Sequence, residues 1–216
     1  MKQRNVAILI FDDVEVLDFC GPFEVFSVTG KRDGSDPFNV YTVAERTPIA
    51  ARNALSVNPH YTLETCPQPD LLVIPGGGGK RADGTPFGTR KEMHNETLLE
   101  WISTHYPQTE HVLSVCTGAL ILAKAGLAEN IAATTHHGAF DDLRRVAPNA
   151  EIREGDRVVD SGKIIFSGGI SAGIDAAFYL VAKLLGQAVA LETATYMEYD
   201  WKTTQYEQTR AVSAGH

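Results

Sequence analysis

Three short runs of this chain are apolar at nearly every position, and they restrict its fold more than any other feature. Val6-Ala7-Ile8-Leu9-Ile10-Phe11, Leu71-Leu72-Val73-Ile74 and Val112-Leu113-Ser114-Val115 lack the alternation of a strand with one wet face. Such strands need cover on both sides, which is the situation inside a parallel sheet between helical layers. The intervening segments read as helices. Asp18–Val28 carries Pro22 near its start and Gly30 as its stop, and Arg90–Thr104 has Leu98, Leu99, Trp101 and Ile102 on one side. Thr117–Ala125 is stopped by Gly126 and Ala139–Val146 by Pro148; Ser171–Leu185 and Ala188–Tyr199 close the series.

Phe38–Ala44 adds a strand, and Pro48–Cys66 holds short alternating pieces suited to a small hairpin or sheet edge. Val158–Asp160 and Lys163–Phe166 flank Ser161-Gly162 as a hairpin with a two-residue turn. Strands alternating with helices predict a doubly wound α/β three-layer sandwich with a mostly parallel sheet. One domain is expected over residues 1–200, followed by a polar tail, 201–216, to which no structure is assigned.

Charge and cysteine usage narrow the partners. Nineteen basic against 27 acidic residues give a net charge of −8, which argues against nucleic acid and against an anionic membrane surface. Cys20, Cys66 and Cys116 are odd in number and form neither a CxxC pair nor a disulfide framework, which fits reducing cytoplasm. Asp12 and Asp13 interrupt the first apolar run too soon for a signal peptide or a membrane span.

In open α/β sheets, ligands sit beyond the carboxyl ends of the strands. Those ends here read Asp12 to Asp18, Pro75 to Gly79, Cys116-Thr117 and Gly168-Gly169-Ile170. Cys116 ends a strand and precedes a helix; it is either a buried, inert cysteine or, as the position favours, a nucleophile on a tight elbow, where the helix N-terminus is expected to favour thiolate. Asp18 either caps its helix or lies beside Cys116 as a proton-exchanging carboxyl. In the second case its pKa is raised and it carries the proton at neutral pH.

Gly76 and Gly77 can turn N–H groups inward as an anion cradle, whereas Gly78 and Gly79 read as connector. No Lys-Ser/Thr pair or GxGxxG spacing accompanies them, so no nucleotide site is expected. Thr117 either hydrogen-bonds a reaction oxygen or caps the following helix. His136 and His137 either orient the cysteine or belong to the pocket rim. No metal and no cofactor are expected, because His60, His94, His105, His111 and His216 show no ligand spacing. Cys66 is read as structural, as is Cys20, although Cys20 is close enough to Asp18 to serve as a second thiol.

Five segments in this order, Leu17-Asp18-Phe19-Cys20-Gly21-Pro22, Ile74-Pro75-Gly76-Gly77, Ser114-Val115-Cys116-Thr117-Gly118-Ala119, Ala133-Thr134-Thr135-His136 and the run from Ser167 to Asp175, resemble the ThiJ/PfpI superfamily. The resemblance covers about residues 5–200. Within the superfamily the chain looks most like the isocyanide hydratase branch and the amidase-like sensor domain of AraC-type regulators. The resemblance implies a flavodoxin-like homodimer with Cys116 as nucleophile and Asp18 as its carboxylate partner. It also implies that the backbone of Gly77 and Thr117 lies near the oxyanion position and that Gly169 and Ile170 line the site. His136 falls where many members carry a histidine near the cysteine.

The implied activity is hydration of a small uncharged isocyanide to an N-substituted formamide. Glyoxalase- or deglycase-like chemistry on an α-oxoaldehyde, or a redox or small-molecule sensor using the same thiol, are the alternatives. Protease-like members place histidine after the cysteine, where this chain has Thr117, which argues against peptidase activity. Glyoxalase-like members usually have Glu where it has Asp18, and the shorter side chain favours the hydratase branch. An AraC regulator would continue into a basic helix-turn-helix beyond His216, so direct DNA binding is not expected.

Overall fold

The structure, a computed structural model, describes residues 2–32 and 34–203. Seven strands form the central sheet: β1 (Arg4–Leu9), β2 (Phe38–Ala44), β3 (Tyr61–Thr62), β4 (Leu71–Ile74), β5 (His111–Val115), β6 (Val158–Ser161) and β7 (Ile164–Ser167). Their order is β6-β7-β5-β4-β1-β2-β3. All neighbours run parallel except β6 and β7, which pair antiparallel as the hairpin expected from the sequence, with Ser161 opposite Ile164. Along β1 the residues from Val6 to Leu9 are fully buried, and so is all of β4, because helices cover both faces.

The helices are α1 (Val16–Val28), α2 (Thr89–Glu92), α3 (Glu96–His105), α4 (Gly118–Lys124), α5 (Phe140–Val146), α6 (Ala172–Leu185) and α7 (Gln187–Tyr196). α1, α6 and α7 pack together over one face, while α2, α4 and α5 form a separate group over the other. No helix among the described residues is long and apolar enough to cross a membrane.

Two elements differ from the sequence reading. The single helix expected over 90–104 is split into α2 and α3. Asn95 takes an extended conformation between them and its side chain accepts the Leu98 N–H at 3.3 Å, so it starts a new helix. The glycine-rich connector after Gly77 folds into an antiparallel hairpin, Gly78–Lys80 against Pro86–Gly88. Its Gly and Pro content gave no strand signal. Pro48–Cys66 supplies both alternatives at once, a hairpin (Ile49–Ala51 with Leu55–Val57) and the edge strand β3. From residue 204 onward the polar tail lies outside the described residues.

The chain leaves β1 for β2 on one side and returns to β4 on the other. The strand order therefore reverses between β1 and β4, the switch point beyond whose carboxyl ends such sheets bind their ligands.

Candidate active site

Four sequence-distant segments meet at that switch point. After β1 the chain bends through Val14, which bridges to Gly77, and Glu15 donates its N–H to Gly76 O at 2.9 Å. These bonds seat the first turn of α1 against the end of β4, with Asp18 fully buried. Glu15, not Asp18, is the N-cap residue of α1, so the capping reading of Asp18 falls away. Its Oδ2 accepts the Gly76 N–H at 3.0 Å, its Oδ1 has no partner within the protein fold, and the carboxyl interacts with the Cys116 thiol.

Cys116 follows β5 directly and adopts φ +56, a left-handed conformation uncommon for a residue with a side chain. Several bonds hold it there. Its N–H donates to Gly168 O at 3.1 Å, and its carbonyl accepts the Thr135 hydroxyl at 2.8 Å. The thiol is buried, with 5% of the residue exposed, and the N–H groups of Ile170 and Thr117 point at the sulfur.

Burial dominates the electrostatics of the pair. Loss of solvation pushes Asp18 up to about 7, against smaller downward pulls from the Gly76 N–H and the Cys116 thiol. Burial likewise pushes the Cys116 thiol up to about 12, the neighbouring Asp18 charge adds to that, and the Ile170 and Thr117 N–H groups pull it back. The expectation that the helix terminus makes thiolate the favoured form of Cys116 is therefore corrected. α4 spans only Gly118–Lys124, and its potential is outweighed by desolvation and by Asp18. Each group is among the causes of the other's shift, so the two titrate in dependence on one another.

A stability prediction follows from Asp18. The folded chain holds its proton to a higher pH than the unfolded chain, so between about pH 4 and pH 7 the native state binds more protons and stability falls as pH rises. The loss is on the order of a few kcal/mol. Urea midpoints at pH 5 and pH 7.5 should differ markedly for the natural chain and much less for Asp18→Asn.

The remaining site residues lie close by, in roles set by hydrogen bonds. Gly76 and Gly77 stand behind β4 as expected, but their N–H groups are already taken, Gly76 by Asp18 and Gly77 by the Thr117 hydroxyl at 3.0 Å. The N–H groups facing the sulfur belong to Thr117 and Ile170 instead. Thr117 makes no side-chain cap to α4; its hydroxyl accepts from Gly77 and donates to the buried Thr89 hydroxyl at 3.1 Å.

His136 sits on the rim and covers Gly169, where an added Cβ would lie 2.4 Å from the imidazole Cδ2. Its Nδ1 accepts the Gly138 N–H, its ring lies 4.2 Å from that of His137, and burial lowers its pKa. Ile170, at φ +46, is 37% exposed beside the sulfur. Cys20 is exposed on α1, and Cys66 lies near the Tyr41 hydroxyl far along the chain from these segments. Thr89 and Thr135 escaped the sequence reading. Only Thr135 left a trace there, as part of the Ala-Thr-Thr-His segment. Among the described residues, no group of three His, Cys, Asp or Glu side chains is placed to hold a metal ion.

A cysteine on a strand-to-helix elbow, facing a buried carboxyl at the switch point of a doubly wound sheet, defines a class of α/β proteins built around one thiol. This chain belongs to the DJ-1/PfpI family, whose model matches residues 4–183. Isonitrile hydratase of Pseudomonas putida is 33% identical over 196 residues, covering 90% of this chain and 78% of that protein. The HTH-type transcriptional regulator CdhR of Pseudomonas aeruginosa is 27% identical over 193 residues, which cover 89% of this chain but only 54% of the regulator. Among solved structures, a ThiJ/PfpI family protein from Pseudomonas syringae superposes with a TM-score of 0.80 at 26% identity, covering 99% of this chain and 88% of that one.

Proposed function

We propose that the protein is a cysteine-dependent hydro-lyase that hydrates an isonitrile (isocyanide) to an N-substituted formamide. The observation that carries this reading is the Asp18–Cys116 pair: a buried carboxyl, raised to about 7, has one oxygen tied to Gly76 and the other unpartnered beside the thiol. A base poised near neutral pH is suited to moving one proton repeatedly. The 33% identity to isonitrile hydratase supports the choice of substrate class.

In the proposed reaction Asp18 takes the thiol proton as the sulfur attacks the terminal carbon of R–N≡C. It then delivers that proton to the same carbon, giving a thioimidate, R–N=CH–S–Cys116. Water adds to the thioimidate carbon, and Asp18 relays one of its protons to nitrogen. Collapse of R–NH–CH(OH)–S expels the sulfur and returns the hydroxyl proton to the pair, leaving R–NH–CHO. The Thr117 and Ile170 N–H groups stabilise the negative sulfur when it forms and when it departs. In this reading the substrate is small and uncharged, no cofactor is needed, and the protein works as a homodimer in the cytoplasm.

A sensing role for the same thiol is the second reading. It is favoured by the similarity to CdhR, since this chain matches about half of that regulator's length.

The test is turnover of p-nitrophenyl isocyanide, followed as formamide by absorbance. Asp18→Asn is expected to lower kcat about 10²–10⁴-fold, the usual contribution of a positioned acid–base group. Absence of formamide, with lactate formed from methylglyoxal, would move the assignment to α-oxoaldehyde chemistry. Absence of both, with Cys116 still selectively alkylated, would leave the sensor.

A further inference from the structure

Ile170 poses a physical problem. A β-branched residue at φ +46 is strained and persists only where its surroundings over-determine it. Yet this strained residue supplies one of the two N–H groups on the Cys116 sulfur. Something must hold both flanks of the 168–171 turn.

One residue grips both. The carbonyl of Arg157 accepts the Gly168 N–H at 3.0 Å, and the Gly168 carbonyl in turn accepts the Cys116 N–H. The side chain of Arg157 reaches the other flank, with Nη2 donating to the Ser171 hydroxyl at 3.1 Å and Nε to Asp175 Oδ2 at 2.5 Å. Asp175 is 5% exposed in the first turn of α6, and its Oδ1 accepts the Tyr199 hydroxyl at 3.2 Å. The ring of Tyr199 stacks on Phe178 in the core. A planar guanidinium suits this task, because its donors diverge in a fixed fork and bind two acceptors at once.

Resting on the reading of Cys116 as the reactive thiol, we propose that Arg157, held by Asp175, is a positioning residue that fixes the 168–171 turn and so keeps the Ile170 N–H on the Cys116 sulfur. Arg157 touches no reacting atom and acts through Ile170. Neither Arg157 nor Asp175 enters the proton transfers above. A staple that only held α6 to the β6–β7 hairpin would affect folding alone. A positioning residue must also affect the ionisation of the sulfur.

The groups that titrate against the sulfur are Asp18 from α1, with Glu15 acting on Asp18. On the facing loop stands His136, which feels His137, Arg90 and Glu15. All of them are unchanged in the variants below; Arg157→Met also removes the charge paired with Asp175, and Arg157→Lys separates that effect from the N–H contact.

The experiment is the rate of Cys116 alkylation by iodoacetamide as a function of pH, on the full chain, with the modified residue identified by mass spectrometry. Arg157→Met is expected to raise the midpoint pH by about one, the loss of one hydrogen bond to an anion, so that alkylation at a fixed pH below the midpoint slows about tenfold. Arg157→Lys keeps the charge but not the fork and is expected to behave like Arg157→Met. Ser171→Ala, at an exposed position, should shift the midpoint in the same direction by a smaller amount, and it carries the test if Arg157→Met does not fold.

An unmoved midpoint in the folded variants, whatever their melting temperature, overturns the proposal. So does a natural midpoint in Arg157→Lys, which would reduce the effect to charge at a distance. If the natural chain shows no selective reaction at Cys116, the reading of the thiol itself fails, and the proposal fails with it.

Discussion

Cys116→Ala is expected to remove isonitrile hydration while leaving the chain folded. Without the sulfur there is no covalent intermediate, and the remaining N–H groups have no reacting atom to act upon. Deleting a nucleophile from such a site lowers kcat by something on the order of 10⁵–10⁶. The fold should tolerate the change, because the backbone at 116 is held by main-chain and Thr135 bonds that Ala keeps. Removing the thiol also removes one of the two interactions that pull the Asp18 pKa down. Steady-state turnover beside a urea titration checks both halves. Activity within tenfold of that of the natural chain would remove Cys116 from the proposed mechanism. Cys116→Ser is the sharper control, since it retains size and hydrogen bonding while losing the thiol.

The second large effect is expected at Gly118, the first residue of α4. A Cβ built there would lie 2.1 Å from the Ile74 carbonyl oxygen and 3.0 Å from that of Pro75. Both are backbone atoms at the end of β4, so no rotamer change can relieve the contact. Either the elbow or the strand must move. Gly118→Ala is expected to cost about 3 kcal/mol or more, at the upper end of overpacking. For a chain of this size that lowers Tm by about 10 °C.

Gly126 is the comparison. It stops the same helix at φ +75 with nothing within 4 Å of an added Cβ. Gly126→Ala should lose only the cost of the left-handed conformation, about 1–2 kcal/mol. Equal losses at the two positions in calorimetry would mean that the close approach of α4 to β4 is not what Gly118 permits.

The parts of this molecule that were legible in the sequence are those set by local pattern. Val6–Leu9 and Leu71–Ile74 are buried on both faces, and that alone dictates unbroken apolar strands. β2 matches the expected Phe38–Ala44 residue for residue. Cys116 was legible for the same reason, as the residue between a buried strand and a helix.

What the sequence could not show depends on pairing between distant segments. Asp18 had two equal readings until the Gly76 N–H and the thiol were found on either side of it. Gly76 and Gly77 looked like free donors, and only the folded chain shows which groups take their hydrogens. The direction of the Cys116 ionisation was misjudged, because burial is a property of the whole packing and outweighs one short helix. Arg157 carried no signal at all, since its partners lie 11 to 18 positions away in sequence and on another element.

The two margins of the central sheet limit how copies of the protein can meet. β3, at one margin, contributes only Tyr61 and Thr62 to the ladder, too short a rail for another strand to extend. β6, at the other, is shielded by the Ala132–Ala133 segment, whose carbonyl at 132 accepts the Ser161 hydroxyl at 2.5 Å, while Asp160 is drawn back onto α6 by Lys183 and Tyr179. Among the described residues, one margin is short and the other is partly covered. Extension of the central sheet into a neighbouring copy is therefore disfavoured at both margins, and at β6 it requires that the strand first come away from its cover.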